Sequence, residues 1–166
     1  MGATCSSCGG ETVKLKVLNA SINNRRREFE IELTDRGVLT FPYHRAEPPP
    51  TSEDPIREFF IDPELGNEGV TYVLESGADG SVLSDYVLEI NRDPAYMRNL
   101  LLHQLTVEAV QRMESSPSGV RQLSRRLKTS PAQIYRLLDT TNYKKTVDKL
   151  LELLHVLDAR VEVRVV

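Results

Sequence analysis

The chain has 166 residues, 40 % hydrophobic and 27 % charged, a composition that suits a globular protein of one large or two small domains. No stretch approaches the roughly 18 apolar residues of a membrane span, and the N-terminus lacks the basic-then-apolar start of a secretory signal; a cytoplasmic protein without membrane contact is expected. The net charge of −3 alone argues against nucleic acid, but residues 1–93 carry 9 Lys/Arg against 17 Asp/Glu, a net of −8, whereas 117–149 carry a net of +6.

Residues 1–12 read as a flexible Ser/Gly-rich leader. It holds both cysteines, Cys5 and Cys8. A Cys-x-x-Cys pair can be half of a zinc site, but zinc takes four ligands and there is no second pair. His44, His103 and His155 are scattered and none sits at ligand spacing, so no metal site and no cofactor are predicted. Two reduced thiols on a tail are the plainer reading. Met1-Gly2 with Ser6 also fits the short myristoylation pattern formally.

Residues 13–92 read as a small α+β domain, mostly antiparallel sheet. Val13, Leu15 and Val17 alternate with Lys14 and Lys16, and Phe29, Ile31 and Leu33 alternate with Glu28, Glu30 and Glu32. Such period-2 runs are half-buried strands of an antiparallel meander. Asn23-Asn24 with the Arg25-Arg26-Arg27 run predicts a hairpin tip, and the Asp35-Arg36-Gly37 turn leads into a strand over Val38–Phe41. Pro48-Pro49-Pro50 breaks any regular element. Pro55 to Phe60 fits either a helical turn or a strand, and Val70–Leu74 and Val82–Ile90 read as further strands.

At Asp93-Pro94 the period changes. Asp93 is a good N-cap and Pro94 suits the first helical position. Met97, Leu100, Leu101, Gln104, Leu105, Glu108, Ala109 and Arg112-Met113 form a mostly apolar stripe at helical spacing, which ends at Ser115–Gly119. Residues from Pro94 to about Leu157 are predicted helical, and the domain boundary is expected between Asn91 and Pro94, with a second domain over 93–166.

Within that half, Val120 to Asp139 meets the demands of a DNA-binding helix-turn-helix. Two short helices held at a fixed angle need apolar residues at positions 4, 8, 15 and 18 of a roughly 20-residue unit and a small residue at position 5. With Val120 at position 1, Leu123, Leu127, Ile134 and Leu137 take the apolar positions and Ser124 the small one. Ser130 is an N-cap followed by Pro131, and Gln133 three residues on completes a capping box. Position 9, in the turn, often holds glycine because the backbone there tends to positive φ. Here it is Lys128, which can adopt that conformation at modest cost. On the outer side of the second helix lie Ala132, Gln133, Tyr135 and Arg136. Gln and Arg can pair bidentately with adenine and guanine edges, and Ala suits a thymine methyl. The plainer alternative is two amphipathic helices of an ordinary bundle.

On these residues the segment resembles the Cro/repressor (xenobiotic-response-element) family of helix-turn-helix regulators and antitoxins. The resemblance covers about residues 95–157 and implies an all-helical, lambda-repressor-like domain. It implies that Ser130, Ala132, Gln133, Tyr135 and Arg136 read bases, and that Arg121, Lys144 and Lys145 complete the DNA contact, the two lysines by gripping phosphate. The first half, through Ile61-Asp62-Pro63-Glu64-Leu65-Gly66, Gly77-Ala78-Asp79 and Ser84-Asp85-Tyr86, resembles a small uncharacterised bacterial domain found alone or ahead of such units, sometimes beside toxin-like genes.

Val147, Leu150, Leu151, Leu154 and Leu157, widened by Leu153 and Val156, give the last helix more apolar surface than a small bundle needs. Arg160 to Val166 alternates as a strand. A lone strand leaves its backbone groups unpaired, so it is expected either to pair with its copy in a homodimer or to close the chain's own sheet. The predicted class is therefore α+β, an antiparallel β domain followed by a helical domain with a C-terminal strand. These patterns and the resemblances together imply two functions: a homodimeric regulator binding double-stranded DNA, or an antitoxin-like module whose acidic half neutralises a basic toxin-like protein while the helical half autoregulates. No phosphate-binding glycine loop or nucleophile arrangement is present in the sequence, so no catalytic residues are predicted.

Overall fold

The computed structural model describes residues 15–165. The leader with Cys5 and Cys8, the Met1-Gly2-Ser6 pattern, Val13 and Lys14 of the first expected strand, and Val166 lie outside the described residues. The chain divides into two compact units, one ending at Met97 and the other beginning at Arg98.

Among the described residues the first unit contains six strands. β1 (Val17–Asn23), β2 (Glu28–Leu33) and β3 (Gly37–Pro42) form one antiparallel sheet in that order, and β4 (Ile56–Ile61), β5 (Gly69–Leu74) and β6 (Asp79–Leu83) form a second. The single meander read from the sequence is thus two, separated by the proline run, whose residues lack the N–H groups a continuous ladder needs. Phe29, Ile31 and Leu33 of β2 are buried while the intervening glutamates are half-buried, as period 2 demands. Val70, Tyr72 and Leu74 do the same in β5, and one core joins both sets with Val17, Phe41, Tyr43, Val82, Val87 and Leu88. Phe29 sits at its centre, its ring centroid 4.7 Å from Tyr43, 5.3 Å from Tyr72 and 5.5 Å from Phe59. The expected hairpin tip lies between β1 and β2, and its Arg27 donates from the guanidinium to the Pro50 carbonyl oxygen at 3.2 Å.

One strand is corrected here. The run Val82–Ile90 does not stay extended: β6 ends at Leu83 and α1 (Ser84–Ile90) follows. Ser84, Val87 and Leu88 are the residues it buries, an i, i+3, i+4 set that belongs to a helix.

The second unit is helical. α2 (Pro94–Ser115), whose first turn still belongs to the first unit, is followed by α3 (Val120–Arg126), α4 (Pro131–Leu138) and α5 (Val147–Val156). Asp93 caps α2, its Oδ1 accepting from the Tyr96 N–H at 2.9 Å. The buried line of α2 is Leu102, Thr106 and Ala109, whereas Met97 and Leu101 of the expected stripe are exposed. Thr106 can occupy the core because its hydroxyl donates to the Leu102 carbonyl oxygen at 2.6 Å. Ala109, Leu123, Ile134, Leu153, Leu154 and Leu157 form the core of this unit, edged by Leu105, Met113, Leu127 and Leu137.

The expected C-terminal strand is absent among the described residues. After α5, Asp158 takes φ 56° and the Ala159 N–H returns to the Leu154 carbonyl oxygen at 2.9 Å, a helix end that turns the chain aside. Residues 159–165 form no regular element, and Val163 and Val165 are about nine-tenths exposed. Alternation alone makes no strand, because a strand exists only where its backbone finds a ladder.

Candidate nucleic-acid interface

α3, the turn after it and α4 bring the five spaced residues together. Leu123, Ser124 and Ile134 are buried, and Leu127 and Leu137 pack half-buried on the same core. Ser124 is small enough for the contact of the two helices and satisfies its hydroxyl locally, donating to the Arg121 carbonyl oxygen at 2.8 Å.

The turn has the shape a glycine usually supplies. Lys128 stands at φ 50°. Its N–H reaches the Arg125 carbonyl oxygen at 3.2 Å and the Thr129 N–H the Ser124 carbonyl oxygen at 2.9 Å. That pair is the Schellman arrangement, which satisfies the last carbonyls of α3 and reverses the chain into α4. Ser130 then caps α4, its hydroxyl oxygen accepting from the Gln133 N–H at 3.3 Å, with Pro131 in the first turn.

Pro131, Ala132, Gln133, Tyr135 and Arg136 are all exposed along α4, Tyr135 by 63 %. Between Gln133 and Arg136 the helix therefore carries one side chain with both amide donor and acceptor, one guanidinium and one phenol. Their chemistry matches base edges, and the N-terminal end of a helix is electropositive. Arg121, Arg125, Lys128 and Lys144 are exposed and form no salt bridge with another described residue.

Three cations of the basic segment are engaged otherwise. Arg126 donates to the Val156 carbonyl oxygen at 2.9 Å, at the C-terminal end of α5, and Lys149 pairs with Glu152 at 2.7 Å. Lys145 departs furthest from the expectation of a phosphate grip. It is 7 % exposed, and its Nζ donates to the carbonyl oxygens of Leu137 at 2.9 Å and Asp139 at 2.6 Å. Its burial lowers its pKa from the ordinary lysine value, with the Asp139 carboxylate acting in the opposite direction. Asp139 itself is held below the usual carboxylate range, chiefly by the Thr141 hydroxyl and N–H, which both donate to it. Two adjacent lysines thus have different duties, one outward and one inward, which spacing alone does not distinguish.

A second charged surface lies on the first unit. Asn19, Ser21, Glu30, Glu32 and Val38 line a shallow recess on the face of β1–β2–β3 turned away from the core. Glu30 there accepts from Asn23 Nδ2 at 2.8 Å and from the Ser21 hydroxyl at 3.3 Å. Among the described residues no helix is long and apolar enough to cross a membrane. Compared with protein-family models, curated proteins and solved structures, the chain matches none.

Proposed function

We propose that this protein is a sequence-specific transcription regulator that binds double-stranded DNA through α3 and α4, acting in the cytoplasm as a homodimer. The observation that carries the reading is the left-handed turn at Lys128, which joins two helices over buried Leu123 and Ile134 while leaving Gln133 and Arg136 exposed. In this reading α4 enters the major groove. Gln133 and Arg136 take adenine and guanine edges, Ala132 and Tyr135 add contact area, and the Ser130 end of the helix faces a phosphate. Arg121 and Lys144 hold the backbone without regard to sequence. A dimer sets two such helices one DNA turn apart, which raises affinity and fixes the spacing of half-sites. The reading contains no catalytic step and no cofactor.

The test starts from a random-sequence duplex pool, from which the protein selects its site. Binding to the selected duplex and to a scrambled one is then titrated at several salt concentrations. Arg136→Ala loses about 1–3 kcal/mol of discrimination, whereas Lys144→Ala weakens all DNA alike and lowers the salt slope by about one. If both variants bind every duplex as the parent does, α4 is not the recognition helix. Sedimentation at micromolar concentration tests the dimer.

A second reading rests on the alternating glutamates of β2. There the first unit is the antitoxin-like part, its acidic sheet face set against a basic toxin-like protein, and DNA binding serves autoregulation. Salt-sensitive association of the whole chain with such a partner, weakened by Glu30→Gln and Glu32→Gln together, supports it; indifference to both changes removes it.

A further inference from the structure

We infer that Lys145 is a positioning residue for base readout, holding the C-terminal end of α4 by its last carbonyls rather than touching DNA. The inference rests on reading α4 as the recognition helix.

The need for such a residue follows from how the helices of this unit end. α3 and α5 both finish on a left-handed residue, Lys128 and Asp158, with backbone N–H groups returning to the last-turn carbonyls. α4 does not. Its capping residue Asp139 is extended, at φ −75° and ψ 109°, so the chain leaves without folding back on the helix. One backbone N–H, that of Asn142, reaches the Asp139 carbonyl oxygen at 3.2 Å, and the carbonyls of Arg136 and Leu137 within the helix are taken by side chains. Asn142 Nδ2 donates to the Arg136 carbonyl oxygen at 3.1 Å, and Lys145 Nζ to those of Leu137 and Asp139. An ammonium suits this place because the C-terminal end of a helix is electronegative. Its burial is costly unless its protons find acceptors, and the two carbonyls take two of the three.

The clamp is tied to the unit's longest helix as well. Arg98 of α2 donates to the carbonyl oxygens of Tyr143 at 3.2 Å and Lys145 at 3.5 Å. One of the carbonyls held is that of Arg136, a residue assigned to read a base. α4 has only eight residues and one fully buried side chain, Ile134, so its ends share with that packing in setting its direction. Base pairing by a side chain tolerates errors of about 0.5 Å and 10–20°. Attraction to phosphate tolerates far more.

The test compares Lys145→Met, which keeps the aliphatic stem and removes the donors, with Asn142→Ala, which removes the bond to the Arg136 carbonyl oxygen and the one that Asn142 Oδ1 accepts from the Lys144 N–H at 3.0 Å. The ligands are the duplex the parent selects and a scrambled duplex of equal length. Each variant is compared at equal folded fraction, established by circular dichroism and thermal melting. The expected result for Lys145→Met is a loss of about tenfold in the ratio of selected to scrambled affinity. Scrambled-duplex affinity and the salt slope stay at the parent's values. Should Lys145→Met not fold, Asn142→Ala carries the same test with a smaller loss of ratio. Overturning results are a ratio unchanged in the folded variants, or a Lys145→Met that weakens both duplexes equally and lowers the salt slope by about one, the signature of a phosphate contact. If the parent selects no duplex, the DNA reading itself falls and the inference with it, an outcome distinct from a parent that selects and variants that match it.

Discussion

Lys128 occupies a backbone conformation that L-residues adopt at a cost, with φ at 50°. The left-handed region costs a residue bearing Cβ about 1–2 kcal/mol, and glycine gives back about 0.4–1 kcal/mol through its greater freedom in the unfolded chain. Lys128→Gly is therefore expected to stabilise the protein by about 0.5–1 kcal/mol in urea unfolding; a loss of stability contradicts the assignment of the turn. Tyr72 poses a different single-residue problem. It is fully buried, its hydroxyl donates to the Pro48 carbonyl oxygen at 2.6 Å, and burial, then the carboxylates of Asp79 and Glu47, push its pKa up to about 12. An unfolded tyrosine ionises near its ordinary 10.0. Between about pH 10 and 12 the unfolded state thus binds fewer protons than the folded one, and stability falls as pH rises. Two pKa units correspond to about 2–3 kcal/mol. Tyr72→Phe is expected to reduce this alkaline decline to the share left by Tyr43, whose pKa burial also raises, while lowering stability at neutral pH by about 1 kcal/mol, the worth of the lost hydrogen bond. Urea midpoints at pH 8, 10 and 11.5 decide it. Lys145 has the opposite sign: its folded pKa lies below 10.5, so in the second unit stability rises with pH from that lowered value towards 10.5.

Among the elements, β6 depends most on one missing side chain. Gly80 pairs with Tyr72 across the β5–β6 ladder, and a Cβ on it falls against the Tyr72 hydroxyl and the Glu47 carbonyl oxygen. Neither can retreat freely, because the hydroxyl is held by Pro48 and the carbonyl is backbone. Gly80→Ala is expected to cost about 1–3 kcal/mol in unfolding experiments; a neutral result means that the strand relaxes without loss. The elements also differ in how far the residues announced them. β2 was legible because Phe29, Ile31 and Leu33 stand strictly two apart, and α4 because Ser130, Pro131 and Gln133 mark its start. α1 was missed although Val87 and Leu88 are adjacent, which a strand with one dry face does not favour; the preceding Val82 masked the change of period. The tail after Leu157 misled in the opposite direction, since Val161, Val163 and Val165 alternate without a ladder to join. On α2 the leucines at 100, 101 and 105 suggested one stripe, but the buried line runs through Thr106, whose hydroxyl is satisfied within its own helix. In the candidate interface, the helix–helix contact was readable from spacing because it is local. The inward turn of Lys145 was not, because it depends on how α4 ends and on where the following loop folds.

At the scale of the whole molecule, charge and packing are both partitioned. The acidic residues concentrate before position 93 and the basic ones after 117, and the residues of the two core clusters fall on either side of the division after Met97. Cores that share no side chain are expected to lose their packing in separate cooperative steps. Scanning calorimetry should then resolve two transitions rather than one. Gly80→Ala, within the first core, lowers only one of them. Leu123→Ala empties a fully buried site in the second and lowers the other, with a cost of about 2–5 kcal/mol. Ligand linkage assigns them independently of mutation, because a molecule that binds one folded unit stabilises that unit as its concentration exceeds the dissociation constant. The selected DNA duplex is expected to raise the transition that Leu123→Ala lowers and to leave the other in place, more so at low salt, where the basic segment attracts phosphate most strongly. A single transition moved equally by both substitutions shows instead that the two cores unfold as one, and a duplex that raises the Gly80-sensitive transition moves the DNA contact to the acidic half.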